Sequence, residues 1–265
     1  LFQALLGLPA DVGRIDRITG SYVRQAFKDG IAMQDARGYN PSKFGMAGGS
    51  DSHNSAAPYR QDNFFGLHAS ADATLERRFA GVLIGGTMDV RLTNPGGLTG
   101  VWAEENTRAS IWDAMYRKET FGVSGPHIKV RLFGGWGYDK DLVDARDWIK
   151  QSYAGGVPMG GDLPPLPAGG KGTAPKFVVW AVKDPTSGNL DRIQIVKGWS
   201  KSGQSFEKVF DVVWAGDRKA GKWSGKVPKI GSTVDVDNAT YTNTIGAVEL
   251  KTVWIDPEFD PSADT

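Results

Sequence analysis

Residues 127–133 read "HIKVRLF". Apolar Ile128, Val130 and Leu132 alternate with Lys129 and Arg131, the period of two that puts successive side chains on opposite faces of a strand. Upstream the period is helical. In "GSYVRQAFKDGIAMQDARG" (residues 20–38) Val23, Ala26, Phe27 and Ile31 recur on one helix face. Ser21 stands at the capping position and Gly38 where a left-handed C-terminal residue belongs. Gly30 inside that helix costs about 1 kcal/mol relative to alanine, so the helix is expected to need tertiary packing. Downstream, "KFVVWAV" (176–182), "DRIQIVKGW" (191–199), "EKVFDVVWA" (207–215) and "AVELKTVWI" (247–255) extend the strand pattern. "DPTSGNLD" and "KSGQ" read as tight connections between them.

Between these regimes the sequence alternates short apolar runs with polar ends. Phe44–Ala47 reads as a short buried strand that runs into "GGSDSHNS" (48–55). "GVWA" (100–103) reads as a second, ending in Glu104, Glu105 and Asn106. A helix is expected after it, capped by Asn106 or Thr107, with Ile111, Ala114 and Met115 as its apolar stripe. Residues 66–97 look loop-rich, and residues 134–175 read as one long Gly/Pro-rich loop, a length usually tied to function or mobility. The expected fold class is α+β, with residues 1–122 helical and mixed and residues 123–265 mostly antiparallel β.

Bulk composition narrows the function classes. The chain has 265 residues and a net charge of +1, and 40% of it is hydrophobic and 23% charged, the balance of a globular protein. So small a net charge gives no reason to expect nucleic acid or an anionic membrane as partner. There is no cysteine, which excludes disulfides, thiolate metal sites and cysteine nucleophiles. No apolar run approaches the ~20 residues of a spanning helix, and "LFQALLGLPA" lacks the basic start of a signal peptide. Residue 1 is not methionine and "DPEFDPSADT" stops without a closing element, so the chain reads as a piece of a longer protein.

Asp51 and His53 are the first candidates for chemistry. A carboxylate and an imidazole two residues apart, at the end of a strand and beside two glycines, suit a divalent cation such as Zn, Mn, Fe or Mg. An Asx turn in a glycine-rich loop explains the same residues without a metal. Asn54 follows His53 and could orient it or touch substrate. His68 is a further candidate ligand or substrate contact, although a lone loop histidine is more often simply exposed or hydrogen-bonded. Glu104, Glu105 and Arg108 form a polar group before and in the second helix, where Arg108 could hold an anion and Glu105 act as a base. Acidic residues there also suit the helix dipole with no catalytic role. His127 is read as structural. Trp180, Trp199, Trp214 and Trp254 are read chiefly as packing residues, with a carbohydrate-stacking platform as the alternative.

"GGSDSH" resembles the last metal-binding motif, Gly-Ser-Asp-x-His, of the PHP (polymerase and histidinol phosphatase) superfamily. The stretches "NPSKFGMAGGSDSHN", "GVWAEENTRASIWDAMYRKETFGVSGPHIKV", "LDRIQIVKGW" and "ATYTNTIGAVELKTVWIDPEFDP" resemble the bacterial domain-of-unknown-function family 3604 over most of residues 20–260. The resemblance implies a distorted β/α barrel, of which residues 1–122 would be the trailing part, followed by the β-rich region. It implies clustered divalent metal ions and hydrolysis of a small anionic phosphoester, or a related sulfate ester, by a metal-activated water. Asp51 and His53 match the last ligand pair. The His-x-His motif of the superfamily has no counterpart, since the only histidines are His53, His68 and His127. The resemblance places those ligands before Leu1, which would leave this piece inactive alone, and it favours a periplasmic or secreted location. The rival expectation is a non-catalytic β-rich module that binds glycan or peptide and keeps a relic of the metal site.

Overall fold

The computed structural model describes residues 22–50, 74, 76, 97–170 and 173–263. The chain divides into two compact units, one of Leu1–Ala26, Met46–Gly100 and Phe121–Pro126, the other of Phe27–Gly45, Val101–Thr120 and His127–Thr265. The described residues are mixed α+β, with three helices and several small sheets. Among them no helix is long and apolar enough to cross a membrane.

The second unit is organised by a four-stranded antiparallel sheet. Its members are β3 (Lys129–Gly135), β4 (Gly156–Pro158), β5 (Lys176–Val182) and β10 (Glu249–Ile255), in the order β10-β5-β3-β4. Register sets the two faces. Phe133, Val178 and Val253 align across the sheet, as do Val130, Ala181 and Leu250. The two rows are three residues apart on each strand, so they point to opposite sides. Phe133 and Val178 are buried with Tyr138, Leu142 and Val143, and Trp148 packs against them. On the other side Ala181 and Leu250 are buried with Leu190, and Ile128, Val130, Ile193 and Val213 close over them. A strand covered on both faces needs no strict alternation, which is why "KFVVWAV" is apolar almost throughout.

A long hairpin supplies part of that cover. β6 (Arg192–Lys201) and β7 (Gln204–Trp214) pair from Arg192↔Trp214 to Lys201↔Gln204, with a register shift after Ile193. Ser202 and Gly203 form the two-residue turn with φ of 53° and 76°. Positive φ at both positions gives the hairpin turn whose twist matches the strands. Carboxylates spaced two apart in the segment after β10 tie down onto this hairpin. Asp256 pairs with Lys197 at 2.6 Å, Glu258 with Lys208, and Asp260 with Lys201 at 2.5 Å. The first pair is buried, and Lys197 Nζ also donates to Glu258 O at 2.7 Å. That bond offsets part of the cost of burying both charges.

The helices follow local signals. The helix α1 (Val23–Arg37) ends at Gly38, whose φ is 78° and whose N–H donates to Gln34 O. Ile31 lies beside Gly198 of β6, and Ser200 Oγ donates to Asp35 Oδ2 at 2.9 Å, so packing supports this helix as its interior glycine requires. The helix α2 (Arg108–Tyr116) is capped by Thr107, whose side chain accepts Ser110 N–H.

Four expectations change. Phe44–Ala47 is not a strand, and Phe44 and Met46 are exposed. Phe44 instead stacks on Phe27 at 4.7 Å, an aromatic contact that needs no ladder. The strand expected at 100–103 is β1 (Gly97–Val101), ending before Trp102 and pairing with β2 (Thr120–Ser124). In α2 Ala114 is buried but Met115 is half exposed, because so short a helix offers the core a single position. Residues 134–175 are not one loop: they hold a 3-10 turn (Leu142–Asp144), the helix α3 (Trp148–Gly155) and β4. Two turns of helix are too few to show a period, and α3 is fixed by tertiary bonds such as Tyr138 O–H to Ser152 O at 2.6 Å.

Candidate functional site

The backbone leading into the Asp51–His53 motif is held by glycines. Gly48 N–H donates to Thr99 Oγ1 at 3.1 Å, and Thr99 Oγ1 donates back to Gly48 O at 2.7 Å. A Cβ on Gly48 would lie 2.3 Å from Leu98 O, and a Cβ on Gly97 would lie 2.3 Å from Gly49 O. Main chains this close tolerate only glycine at both positions. Residues 48 and 49 are thus held close against β1. Asp51, His53, Asn54 and His68 themselves lie outside the described residues. Among the described residues no three or more His, Asp or Glu side chains gather as a metal would require.

Glu104, Glu105 and Arg108 are exposed around the N-terminal end of α2. Glu105 N–H donates to Ser110 Oγ at 3.1 Å, and Ser110 N–H to Thr107 Oγ1 at 3.3 Å, so the turn before the helix is cross-braced. Carboxylates at this end are favoured by the helix dipole, whereas Arg108 is the first helical residue and sits where a cation is disfavoured. The first turn contains no acidic residue to offset it. Glu104 and Glu105, just before the helix, are the nearest carboxylates in sequence to Arg108.

One cluster had no sequence signal. Arg131 lays its guanidinium over the Trp102 ring, 3.7 Å from the centroid, and Nη1 donates to Tyr153 Oη at 3.2 Å. The Tyr153 O–H donates to Glu119 Oε2 at 2.8 Å, and Arg117 Nε stands 3.5 Å from Glu119 Oε1. Trp102 Nε1–H donates to Val130 O at 2.8 Å. Glu119 is 3% exposed, so this carboxylate depends on these partners. Desolvation, and then the bond to Glu119, raises the Tyr153 hydroxyl above its ordinary pKa and keeps it a donor. The space left among Trp102, Glu119, Arg131 and Tyr153 is too small to admit a water molecule. The group ties the segment before α2, β3 and α3 together and is not a ligand chamber. Its members come from separate elements, and no motif spacing announces them.

His127 acts through its main chain. Its N–H donates to Asp184 Oδ2 at 2.6 Å, and Thr186 gives Asp184 Oδ1 both N–H and O–H at 2.8 Å, while the imidazole is exposed. Burial would raise the Asp184 pKa, but the bonds from His127 and Thr186 outweigh it and hold the carboxyl below its usual range. The strand tryptophans are half-buried packing residues. Trp180 packs with Trp102 and Trp148, Trp254 with Phe177 and Phe210, and Trp199 stacks on Phe206. Trp214 Nε1–H donates to Arg218 O.

Comparison with known proteins yields one match. The family model described as "Protein of unknown function (DUF3604)" covers residues 10–265, and the chain belongs to this family. No curated protein and no solved structure matches it.

Proposed function

We propose that this member of the DUF3604 family serves a metal-dependent hydrolase of the PHP-superfamily type, acting on a small anionic phosphoester or a related sulfate ester. The observation that carries the reading is the Gly-Ser-Asp-x-His motif at residues 49–53. The close hold of Gly48 and Gly49 against β1 supports it, because a metal ligand is better placed near backbone that is itself held. Asp51 and His53 would hold the ion, with His68 as a further ligand; their oxygen and nitrogen donors suit Zn, Mn, Fe or Mg. When bound, such an ion lowers the pKa of a water and screens charge on the ester. Asn54 would orient His53 through a hydrogen bond. Arg108, exposed at the start of α2, would take the anionic group of the substrate, and Glu105 would accept a proton. Residues 1–122 would then be the trailing part of a PHP-like barrel, and the protein would work in the periplasm or outside the cell.

The test measures metal content and the release of nitrophenol from aryl phosphate and aryl sulfate, using the full-length protein. Asp51→Ala and His53→Ala should each lower bound metal and cut turnover by about a hundredfold or more. Metal content and turnover both unchanged in Asp51→Ala would sink the proposal. Arg108→Ala should raise KM while leaving metal content as it was, which separates substrate contact from ligation.

A further inference from the structure

The second unit carries a concave site far from the metal motif in sequence. Two short strands, β8 (Val234–Asp235) and β9 (Thr240–Tyr241), pair as Val234↔Tyr241 and Asp235↔Thr240. They and the chain around them border a cleft of about 270 Å³. Small-molecule pockets run from roughly 300 to 1,000 Å³, so this one suits a single ring. Ser232, Thr233, Tyr241, Asn189 and Asn243 provide its polar lining, with Ile230 and Ile245 among its aliphatic residues. No residue of the lining is ionisable near neutral pH.

The wall is preformed by hydrogen bonds of two side-chain amides. Asn189 Nδ2 donates to Asn243 O at 2.9 Å and Ile245 O at 3.0 Å, and Asn189 N–H donates to Asn243 Oδ1 at 2.7 Å. Asn243 Nδ2 in turn donates to Ser187 O at 3.2 Å. Two carbonyl acceptors fix which end of the Asn189 amide is nitrogen. Its Oδ1 has no donor among the described residues and remains an acceptor. Ser232 Oγ accepts Val234 N–H and Thr233 Oγ1 accepts Asn243 N–H, which leaves both hydroxyl protons to donate. The Tyr241 O–H donates to Thr186 O at 2.9 Å, which pins the ring while the residue stays 46% exposed.

We infer that this cleft binds a neutral monosaccharide unit, with the Tyr241 ring against the C–H face of the sugar and Ser232, Thr233 and Asn189 Oδ1 meeting its hydroxyls. The chemistry selects this class. A charged ligand would give up hydration without a counter-charge. A wholly apolar ligand would strand the two free hydroxyl donors and the free acceptor. A sugar ring presents C–H and O–H groups side by side, as the lining requires. The site does not depend on the hydrolase reading, and a metal-depleted Asp51→Ala protein keeps it.

Saturation-transfer NMR and calorimetry on the purified protein test this, with glucose, galactose and N-acetylglucosamine as probes and their sugar-acid and sugar-phosphate counterparts as comparators. At least one neutral sugar should bind, more tightly than its charged counterparts, and a chelator should not change that. Tyr241→Ala should weaken binding by about tenfold or more, while Tyr241→Phe, which keeps the ring, should not. Ser232→Ala, an exposed position, should weaken it several-fold and guards against misfolding of the tyrosine variant. The inference is overturned if no neutral sugar binds, if the charged counterparts bind better, or if both Tyr241→Ala and Ser232→Ala bind like the parent.

Discussion

On one face of the four-stranded sheet Leu250 and Ala181 meet Leu190, Ile193 and Val213; on the other, Phe133 and Val178 lie beside Trp148 and the Arg131–Tyr153–Glu119 chain of hydrogen bonds. The strands are the same and the burial is comparable, but the means differ. The aliphatic face relies on area removed from water and tolerates imprecise geometry. The mixed face also buries a carboxylate, which is stable only while every partner is in place. Its hydrogen bonds fix where α3 and the segment before α2 dock, a specificity that aliphatic contact supplies poorly.

The comparison can be broken by substitution. The largest effect is expected on the aliphatic face: Leu250→Ala should cost about 2–5 kcal/mol in urea unfolding, with little dependence on salt. On the mixed face Glu119→Ala should cost about 1–3 kcal/mol, because Tyr153 and Arg117 lose their acceptor. A Glu119→Leu variant as stable as the parent would show that the network adds specificity alone. Should Glu119→Ala prove more damaging than Leu250→Ala, the division between the faces fails.

The smallest effect concerns the junction where His127, just before β3, meets Asp184, just after β5. Asp184→Asn should cost about 1 kcal/mol near neutral pH, since the bonds from His127 and Thr186 lose their charged acceptor. The folded pKa of Asp184 lies below its unfolded value of about 3.9. Its contribution is therefore complete above that pH and disappears as pH falls through the depressed folded value. Unfolding midpoints of parent and variant should converge as pH falls, and a gap that stays constant throughout the acid range would refute the assignment.

Much of the fold was legible because its signals are local. "KFVVWAV" is a strand over the same residues, 176–182, that the pattern marks, and "KSGQ" makes the hairpin turn with glycine at a positive φ. Thr107 and Gly38 cap the helices on which their residue types had already placed them. The short elements between residues 134 and 175 were not legible, since two turns of helix and a three-residue strand carry too little period to register. For the candidate site, sequence supplied the residue types at 51 and 53 and the exposed group around Arg108. The bonds that hold Gly48 need Thr99, some fifty residues away, and no spacing reveals them.

The sequence by itself determined the α+β class, the positions of the longer strands after residue 126 and of the hairpin turn at 202–203, the family, and the residues to test for metal chemistry. Tertiary structure alone decided which face each strand residue serves, that Arg131 and Glu119 share Tyr153, and that Asn189 and Asn243 shape a cleft around Tyr241. Periodicity and turn chemistry act over a few residues and can be read along the chain. Pairings between distant residues arise only when loops close and bury them together, and many sequences consistent with the same local pattern would close differently.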